Sequence, residues 1–265
     1  MMTEPLLIIG AAILGLFAGA FVNARIMRTK DSMAFTTNRA CAVCATPLKH
    51  KEMLPVVGYL AVKGRCKRCT AVIPWQYPAT EAVIAVLFAL FAARILFHFE
   101  LPVFVGPGDE ILLFVRDALT TLVLIMVFMF DYRASVIPDR VTIPGMVIVI
   151  ICNILLGMPV ADLLLGGLVL GGFFAAQFLI SRGRWVGGGD VRMGMLMGFL
   201  LGPILGIVAL FISYVSGSII GVMLLTSGKR KIDSHVPFGT FLALATVICM
   251  FFGDHLLNWY LGLFS

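Results

Sequence analysis

The chain has 265 residues, of which 60% are hydrophobic and 13% are charged. Soluble domains average about 45–50% apolar and about 25% charged residues, so this composition predicts a polytopic membrane protein. The net charge of +6 does not indicate nucleic-acid binding. The Lys and Arg residues border apolar segments and form no patch interleaved with aromatic side chains.

Eight apolar segments are predicted to span the membrane. The first is predicted to be a retained span rather than a cleaved signal, because Glu4 stands where a signal peptide carries Lys or Arg. The segments at 142–157 and 191–205 are short for a hydrocarbon core of about 30 Å. The region 191–226 could instead form one long helix with a kink near Gly202. The predicted segments are 5–24, 79–97, 111–130, 142–157, 162–180, 191–205, 206–226 and 236–261.

The positive charges predict the orientation of the chain. With the N-terminus outside, 18 of the 20 Lys and Arg residues fall in segments on the cytoplasmic side, as the positive-inside rule requires. Eight spans rather than seven are needed to place Lys229 to Lys231 inside. The predicted fold is therefore an all-α polytopic membrane protein with a small cytoplasmic insertion after the first span. The predicted division is 1–24 (first span), 25–78 (insertion) and 79–265 (membrane bundle).

Four of the six cysteines lie in the insertion. Cys41 and Cys44 form one CxxC pair, and Cys66 and Cys69 form another after 21 intervening residues. Paired CxxC motifs are typical of a tetrahedral structural zinc site, and a metal could stabilise an insertion too small to bury a good core. Two disulfides are the alternative, which a cytoplasmic location disfavours. A redox CxxC is a further alternative, and the two matched pairs argue against it.

Two aspartates lie at the ends of predicted membrane spans. Asp131 follows the run that ends at Phe130, and Asp190 follows Gly187–Gly189 and precedes another run. Carboxylates at membrane helices are costly and usually functional. Two of them on one side predict an aspartyl dyad that shares a proton, and the glycines would let an extended substrate approach the backbone.

Each aspartate also has a structural interpretation. Either could be a solvated helix end, and Asp190 could stabilise the N-terminal dipole of its helix. Asp139 fits an N-cap or loop role better than a dyad role. It remains a second candidate for the first catalytic position.

The motifs together resemble those of the bacterial type IV prepilin peptidases, a family of membrane aspartyl proteases with a GxGD motif. The resemblance runs almost end to end. It rests on the glycine-rich first span that ends at Asn23, the two CxxC pairs, Tyr77-Pro-Ala-Thr-Glu81, Ile137-Pro138-Asp139, Gly187 to Asp190, and Pro237-Phe238-Gly239. Arg192 and Thr240 depart from the family pattern, which commonly has Lys and Pro at these two positions.

The resemblance implies a function. Asp131 and Asp190 would be the catalytic pair, and the cysteine tetrad would bind zinc in the half of the protein associated with methyl transfer. The substrates would be membrane-anchored prepilins or pseudopilins, cleaved after a short basic leader in the bacterial inner membrane. S-adenosylmethionine would then methylate the new N-terminus. No Rossmann-type glycine motif marks a site for it, and Asn23 and Glu81 are second-rank candidates.

Two other classes of function remain open at this point. The chain could be a binding or assembly protein whose zinc loop docks a partner and whose aspartates are structural. It could also be a transporter with proton-carrying carboxylates, although carboxylates at span ends rather than at the midplane disfavour this hypothesis.

Overall fold

The computed structural model describes most of the chain and confirms the all-α polytopic class. The described residues are 3–26, 41, 43–44, 46, 52, 54–227 and 237–263, so much of the predicted insertion and the predicted cytoplasmic Lys229–Lys231 lie outside them. The described part contains eight α-helices and no β-strand. The helices are α1 (Thr3–Ile26), α2 (Val57–Ala61), α3 (Gln76–Leu96), α4 (Glu110–Ala134), α5 (Asp139–Leu155), α6 (Val160–Ser181), α7 (Gly188–Thr226) and α8 (Phe238–Gly262).

Six of these helices are long and apolar enough to cross a membrane, namely α1, α3, α4, α6, α7 and α8. Helix α5 has 17 residues, or about 25 Å, which is shorter than a hydrocarbon core of about 30 Å. The predicted short span at 142–157 coincides largely with this helix, α5 (Asp139–Leu155). The total of eight membrane crossings stays a prediction.

The chain forms two compact units, residues 1–97 and 98–265. In the first unit, α1 and α3 run antiparallel, with Gly15 against Ala85 and Gly19 against Glu81. The structure thus groups α3 with α1. The predicted functional division into 1–24, 25–78 and 79–265 stays a prediction.

Helix α7 is a helical hairpin within the second unit. In a straight helix, Gly194 and Gly206 would lie about 18 Å apart, yet Leu170 of α6 contacts both. The chain reverses at Gly202, whose φ of 74° and ψ of −178° belong to a region open essentially to glycine alone. We call residues 188–201 the first arm and residues 203–226 the second arm. The arms match the predicted segments on either side of the kink.

A buried amide satisfies the backbone where the hairpin breaks. Pro203 has no N–H, so the carbonyl of Phe199 loses its helical partner. The Asn153 Nδ2 group donates to the carbonyl oxygens of Phe199 (2.7 Å) and Leu200 (3.2 Å). In a membrane-embedded bundle, carbonyls without a partner would be costly. Asn153 of α5 therefore fixes the end of the first arm.

A buried ion pair orients this amide. The Arg116 Nη1 group donates to Asn153 Oδ1 at 2.8 Å, and the Arg116 Nη2 group lies 2.6 Å from Asp117 Oδ1. All three residues are almost fully buried. Buried charges require such pairing, so the network ties α4 and α5 to the turn of α7.

We expect Asn153→Leu to destabilise the protein markedly. The substitution leaves two carbonyls and one guanidinium N–H without their partner, each costing about 1–3 kcal/mol. A drop in the unfolding temperature in detergent measures the effect. Asn258→Leu on the exposed face of α8 is the matched control, and equal drops in the two variants would contradict the role given to Asn153.

Candidate active site and metal centre

Asp131 lies in the last turns of α4, and its carboxylate caps another helix. Its side chain is buried, and Oδ2 accepts the backbone N–H of Thr240 at 2.9 Å. Thr240 belongs to the first turn of α8, where N–H groups have no intrahelical acceptor. The N-terminal dipole of α8 also favours a negative charge at this point. Asp131 is thus held in one orientation by a distant part of the chain.

Close packing around Asp131 requires a glycine at position 239, the last residue of Pro237-Phe238-Gly239. A Cβ on Gly239 would lie 2.8 Å from Ile137 Cδ1 and 3.0 Å from Asp131 Oδ2. Real Cβ atoms are essentially never found at the shorter of these separations. This motif was visible in the sequence, but its contact with Asp131 was not predicted.

Asp190 lies in the first turn of α7 and is half-buried. Its Oδ2 atom accepts the N–H of Gly187 at 2.9 Å, an arrangement that stabilises a helix N-terminus. The structural interpretation of Asp190 therefore has direct support. The hydrogen bond from Gly187 also fixes the direction of the Asp190 carboxylate. A structural role for Asp190 is therefore compatible with a catalytic one.

Ile137 contacts a glycine next to Asp190 and a glycine that packs against Asp131. A Cβ on Gly189 would lie 2.8 Å from Ile137 Cβ, while the other end of the Ile137 side chain contacts Gly239. Gly189 directly precedes Asp190, and Gly239 lies against Asp131 Oδ2. The two carboxylates therefore lie at the same end of the second unit, with Ile137 between their helices.

Asp139 has a different environment. It is exposed, and its Oδ1 atom lies 2.7 Å from Arg192 Nη2. This ion pair connects the start of α5 to the first turns of α7. Asp139 begins α5, but no side-chain capping bond is formed at that helix start.

We expect Gly239→Ala to lower kcat about 10²-fold for the peptide cleavage that the family resemblance implies, because displacement of a reacting group by about 1 Å can cost this much. Adding Ile137→Val removes the Cδ1 atom that the new methyl group meets, and should recover part of the rate. Gly221→Ala, where a Cβ meets no atom within 4 Å, is the control. Steady-state cleavage by purified variants measures the three rates, and a Gly239→Ala enzyme as active as the control would contradict the proposed contact.

The four cysteines of the two CxxC motifs converge on one point. Their Sγ atoms all lie within 4.8 Å of one another, with Cys41–Cys69 at 3.6 Å and Cys44–Cys66 at 3.8 Å. A tetrahedral zinc with Zn–S bonds of about 2.3 Å requires sulfurs about 3.8 Å apart. A disulfide requires about 2.05 Å. The tetrad therefore fits a metal ion and not a pair of disulfides.

Local hydrogen bonds prepare two of the thiols for metal binding. The hydroxyl of Thr46 is the main cause of a lowered pKa of about 6 for Cys44, and backbone N–H groups lower the pKa of Cys66. For Cys69 the N–H of Ala71 acts in the same direction, yet burial and the neighbouring sulfurs raise its pKa to about 12. Four thiolates cannot share so small a volume without a cation, because like charges repel.

Asn23 and Glu81 are engaged with each other. The Asn23 Nδ2 group donates to the carbonyl of Tyr77 (3.0 Å) and to Glu81 Oε1 (3.3 Å), and Glu81 Oε2 accepts the N–H of Val56 at 2.7 Å. These contacts join α1, α3 and the segment before α2. Their role towards a methyl donor stays a prediction.

Sequence reasoning noted Thr240 only as a departure from the family pattern, without its contact to Asp131, and missed Tyr214 altogether. Thr240 lies next to a motif that was noted. Tyr214 is a polar residue within an apolar span, and its hydroxyl hydrogen-bonds the Gln177 amide of α6. Neither residue type signals contact with a residue tens of positions away, so neither partner could be predicted from spacing.

Two family models match the chain. The model described as Bacterial Peptidase A24 N-terminal domain matches residues 13–95, and that of the Type IV leader peptidase family matches residues 118–222. The first match lies within the first compact unit, and the second lies within the unit that carries both aspartates.

Curated relatives match most of the chain. A prepilin leader peptidase/N-methyltransferase of Legionella pneumophila is 30% identical over 86% of this chain and 77% of its own length. Relatives with the same name from Bacillus subtilis (28% identical; 94% of this chain, 96% of theirs) and Pseudomonas putida (26%; 93% and 91%) match as well. No solved structure gives a significant match. The chain belongs to the prepilin leader peptidase/N-methyltransferase family.

Proposed function

We propose that this protein is a membrane aspartyl peptidase that removes the leader of type IV prepilins or pseudopilins at the cytoplasmic face. The observation that carries the proposal is the placement of Asp131 and Asp190 at one end of the second unit. Each carboxylate accepts a backbone N–H at the start of a helix. Family membership supports peptidase chemistry, and the relatives' names supply the substrate class.

The proposed mechanism uses the two carboxylates in opposite protonation states. Like charges at close range favour one shared proton. The ionised carboxylate takes a proton from water as the water oxygen attacks the scissile carbonyl carbon. The protonated partner then gives its proton to the departing amine as the C–N bond breaks.

Positive charges at the Asp131 end support the cytoplasmic location. Arg133 lies in the last turn of α4 and Arg140 in the first turn of α5, Arg182 and Arg184 lie between α6 and α7, and Arg192 lies in the first turns of α7. The acidic residues Asp109, Glu110 and Asp162 lie at the opposite ends of α4 and α6, and Asp254 lies in the part of α8 away from its start. The positive-inside rule then places both aspartates on the cytoplasmic side.

We assign a structural zinc to Cys41, Cys44, Cys66 and Cys69. When bound, it would supply four bonds that hold the two CxxC turns together, and folding free energy with them. S-adenosylmethionine would supply the methyl group for the new N-terminal amine, which loses a proton on alkylation. Asn23 and Glu81, which hydrogen-bond each other, stay second-rank candidates for contact with the methyl donor.

The test is cleavage in cells. The protein is co-expressed with a prepilin that carries a basic leader, in a bacterium without a leader peptidase of its own. We expect a shorter product whose N-terminal sequence begins after the leader. A prepilin that stays full length in the presence of folded, membrane-inserted protein would instead favour a zinc-loop assembly protein without peptidase activity.

A further inference from the structure

A short chain of hydrogen bonds connects the cysteine-bearing segment to the membrane helices of the first unit. Glu81 lies in the second turn of α3, and its Oε2 atom accepts the backbone N–H of Val56 at 2.7 Å. Its Oε1 atom accepts a hydrogen bond from the Asn23 amide of α1 at 3.3 Å. Val56 immediately precedes α2, which lies between this contact and Cys66 along the chain. We call the two hydrogen bonds of Glu81 the Glu81 anchor.

The helix side of the anchor holds the carboxylate in one direction. Asn23 is buried, and its Nδ2 group also donates to the carbonyl of Tyr77 at 3.0 Å, so its rotation is restricted. A Cβ on Gly19 would lie 2.7 Å from Cα of Glu81, so α1 and α3 are in direct contact at this level. A carboxylate partly removed from water is costly unless it is hydrogen-bonded. The N–H of Val56 therefore supplies one of the bonds that Glu81 requires.

The loop side of the anchor is a strained stretch of backbone. Val56 has φ of 57° and ψ of −53°, and a positive φ is a genuine outlier for a β-branched residue. Such conformations persist only where the surrounding structure over-determines them. The N–H of this residue is the group that Glu81 accepts. The anchor thus stabilises a start of α2 that Val56 would not adopt by itself.

Helix α2 connects the anchor to one of the two CxxC motifs. Tyr59 of α2 packs against Gly64, since a Cβ on Gly64 would lie 2.7 Å from the Tyr59 hydroxyl oxygen. Arg65 and Val72 pair as an isolated antiparallel bridge on either side of the Cys66–Cys69 turn. A shift of α2 would therefore move this turn.

A second contact joins α2 to the same turn. A Cβ on Gly58 would overlap the carbonyl group of Glu52, so α2 packs directly on the segment that precedes it. The Glu52 carboxylate lies 3.1 Å from Lys67 Nζ, and Lys67 is within the Cys66–Cys69 turn. A partly exposed ion pair is weak by itself, but this one acts together with the packing of Tyr59. Two separate contacts therefore connect α2 with the turn that carries two of the four sulfurs.

We propose that Glu81 is a positioning residue for methyl transfer, which docks the cysteine tetrad on α1 and α3 through Val56 and α2. Asn23 orients the Glu81 carboxylate for this role. The inference rests on the proposed function, because the tetrad belongs to the half of the protein that the family resemblance associates with methyl transfer. A positioning residue acts through the loop, and this role differs from contact with the methyl donor.

The first test is hydrogen exchange of the purified, zinc-loaded protein in detergent, read by mass spectrometry on the peptide that covers residues 54–62. Glu81→Leu removes both hydrogen bonds of the anchor. The amides of this peptide should exchange at least about tenfold faster, because a hydrogen bond to a charged group contributes at least that factor to a local opening equilibrium. The metal content should stay at about one per chain, because no cysteine is changed.

The second test separates positioning from contact with the methyl donor. In Glu81→Leu, kcat for methyl transfer should fall about 10²-fold, which is the cost of a displacement of about 1 Å. The KM for S-adenosylmethionine should change less than about threefold, because no donor contact is lost. Leader cleavage should also change less than about threefold, because the two aspartates lie in the other compact unit.

Glu81→Gln covers the possibility that Glu81→Leu does not fold. Gln keeps one oxygen for the N–H of Val56 but presents an NH₂ group to the Asn23 donor, so both effects should be smaller and in the same direction. Glu4→Leu removes an exposed carboxylate from α1. It is the control and should leave the exchange and both activities unchanged.

Three results would overturn the inference. Unchanged exchange of residues 54–62 in both Glu81 variants would show that the anchor does not hold α2. A raised KM for S-adenosylmethionine with unchanged kcat would make Glu81 a contact of the methyl donor instead. Equal losses of cleavage and methyl transfer would indicate a general effect on the fold. Absence of both activities in the wild type would contradict the proposed function itself, whereas the exchange result would still test the anchor.

Discussion

Replacing Asp131 or Asp190 with Asn should lower kcat for leader cleavage by about 10²–10⁴-fold, the range for loss of a general acid or base. Asn keeps the shape of the side chain and can still accept the N–H groups of Thr240 and Gly187. The variants should therefore remain folded. Because the two carboxylates act as one unit, the double variant should be little slower than the slower single variant.

Asp139→Asn provides the matched control for these variants. It is the second candidate for the first catalytic position, but its carboxylate is exposed and paired with Arg192. Exposed ion pairs contribute at most about 1 kcal/mol, so the rate should fall less than tenfold. Loss of activity in Asp139→Asn together with retained activity in Asp131→Asn would exchange the roles given to these two residues.

Replacing Cys41 and Cys44 with Ser should abolish metal binding and strongly reduce methyl transfer. Two of the four sulfurs are removed, and structural zinc provides much of the folding free energy of small cysteine sites. Metal content per purified chain, measured by plasma emission spectrometry, should fall from about one to near zero. Cleavage should fall less than about tenfold, because the tetrad and the aspartates belong to different compact units.

The buried cysteines of the second unit supply the control for the tetrad. Cys152→Ala changes a thiol without touching the cluster, and should leave the metal content unchanged. Equal loss of methyl transfer and cleavage in a folded Cys41/Cys44 variant would contradict the separation of the two activities. Full metal content in that variant would contradict the tetrad as the metal site.

Features that depend on local sequence could be predicted well. Apolar runs located the membrane helices, and the Gly202-Pro203 pair located the turn of α7, because glycine and proline act on the backbone at their own position. CxxC spacing predicted the cysteine cluster, whose sulfurs lie within 4.8 Å of one another. Composition predicted a polytopic membrane protein, and the lengths of the apolar runs predicted that its spans are helices.

Contacts between distant helices could not be predicted from one sequence. The bond from Thr240 to Asp131 joins residues 109 positions apart, and Asn153 reaches Leu200 across 47 positions. An apolar span has many faces on which a helix could pack, and hydropathy does not choose between them.

The structure also shows what Thr240, one departure from the family pattern, contributes to the site. Thr240 stands where the family resemblance implies Pro, and its N–H is the group that binds Asp131 Oδ2. A proline has no N–H to offer. This hydrogen bond to the candidate catalytic carboxylate is therefore one that a chain with Pro at this position could not make.

The central claim is most directly tested by intact-mass spectrometry of a prepilin incubated with the purified protein. Wild type should reduce the substrate mass by that of the leader, and Asp190→Asn should not. Addition of S-adenosylmethionine should then raise the mass of the cleaved product by one methyl group. An unchanged mass with folded wild type and a competent substrate, or equal cleavage by Asp190→Asn, would contradict the assignment of an aspartyl peptidase built on Asp131 and Asp190.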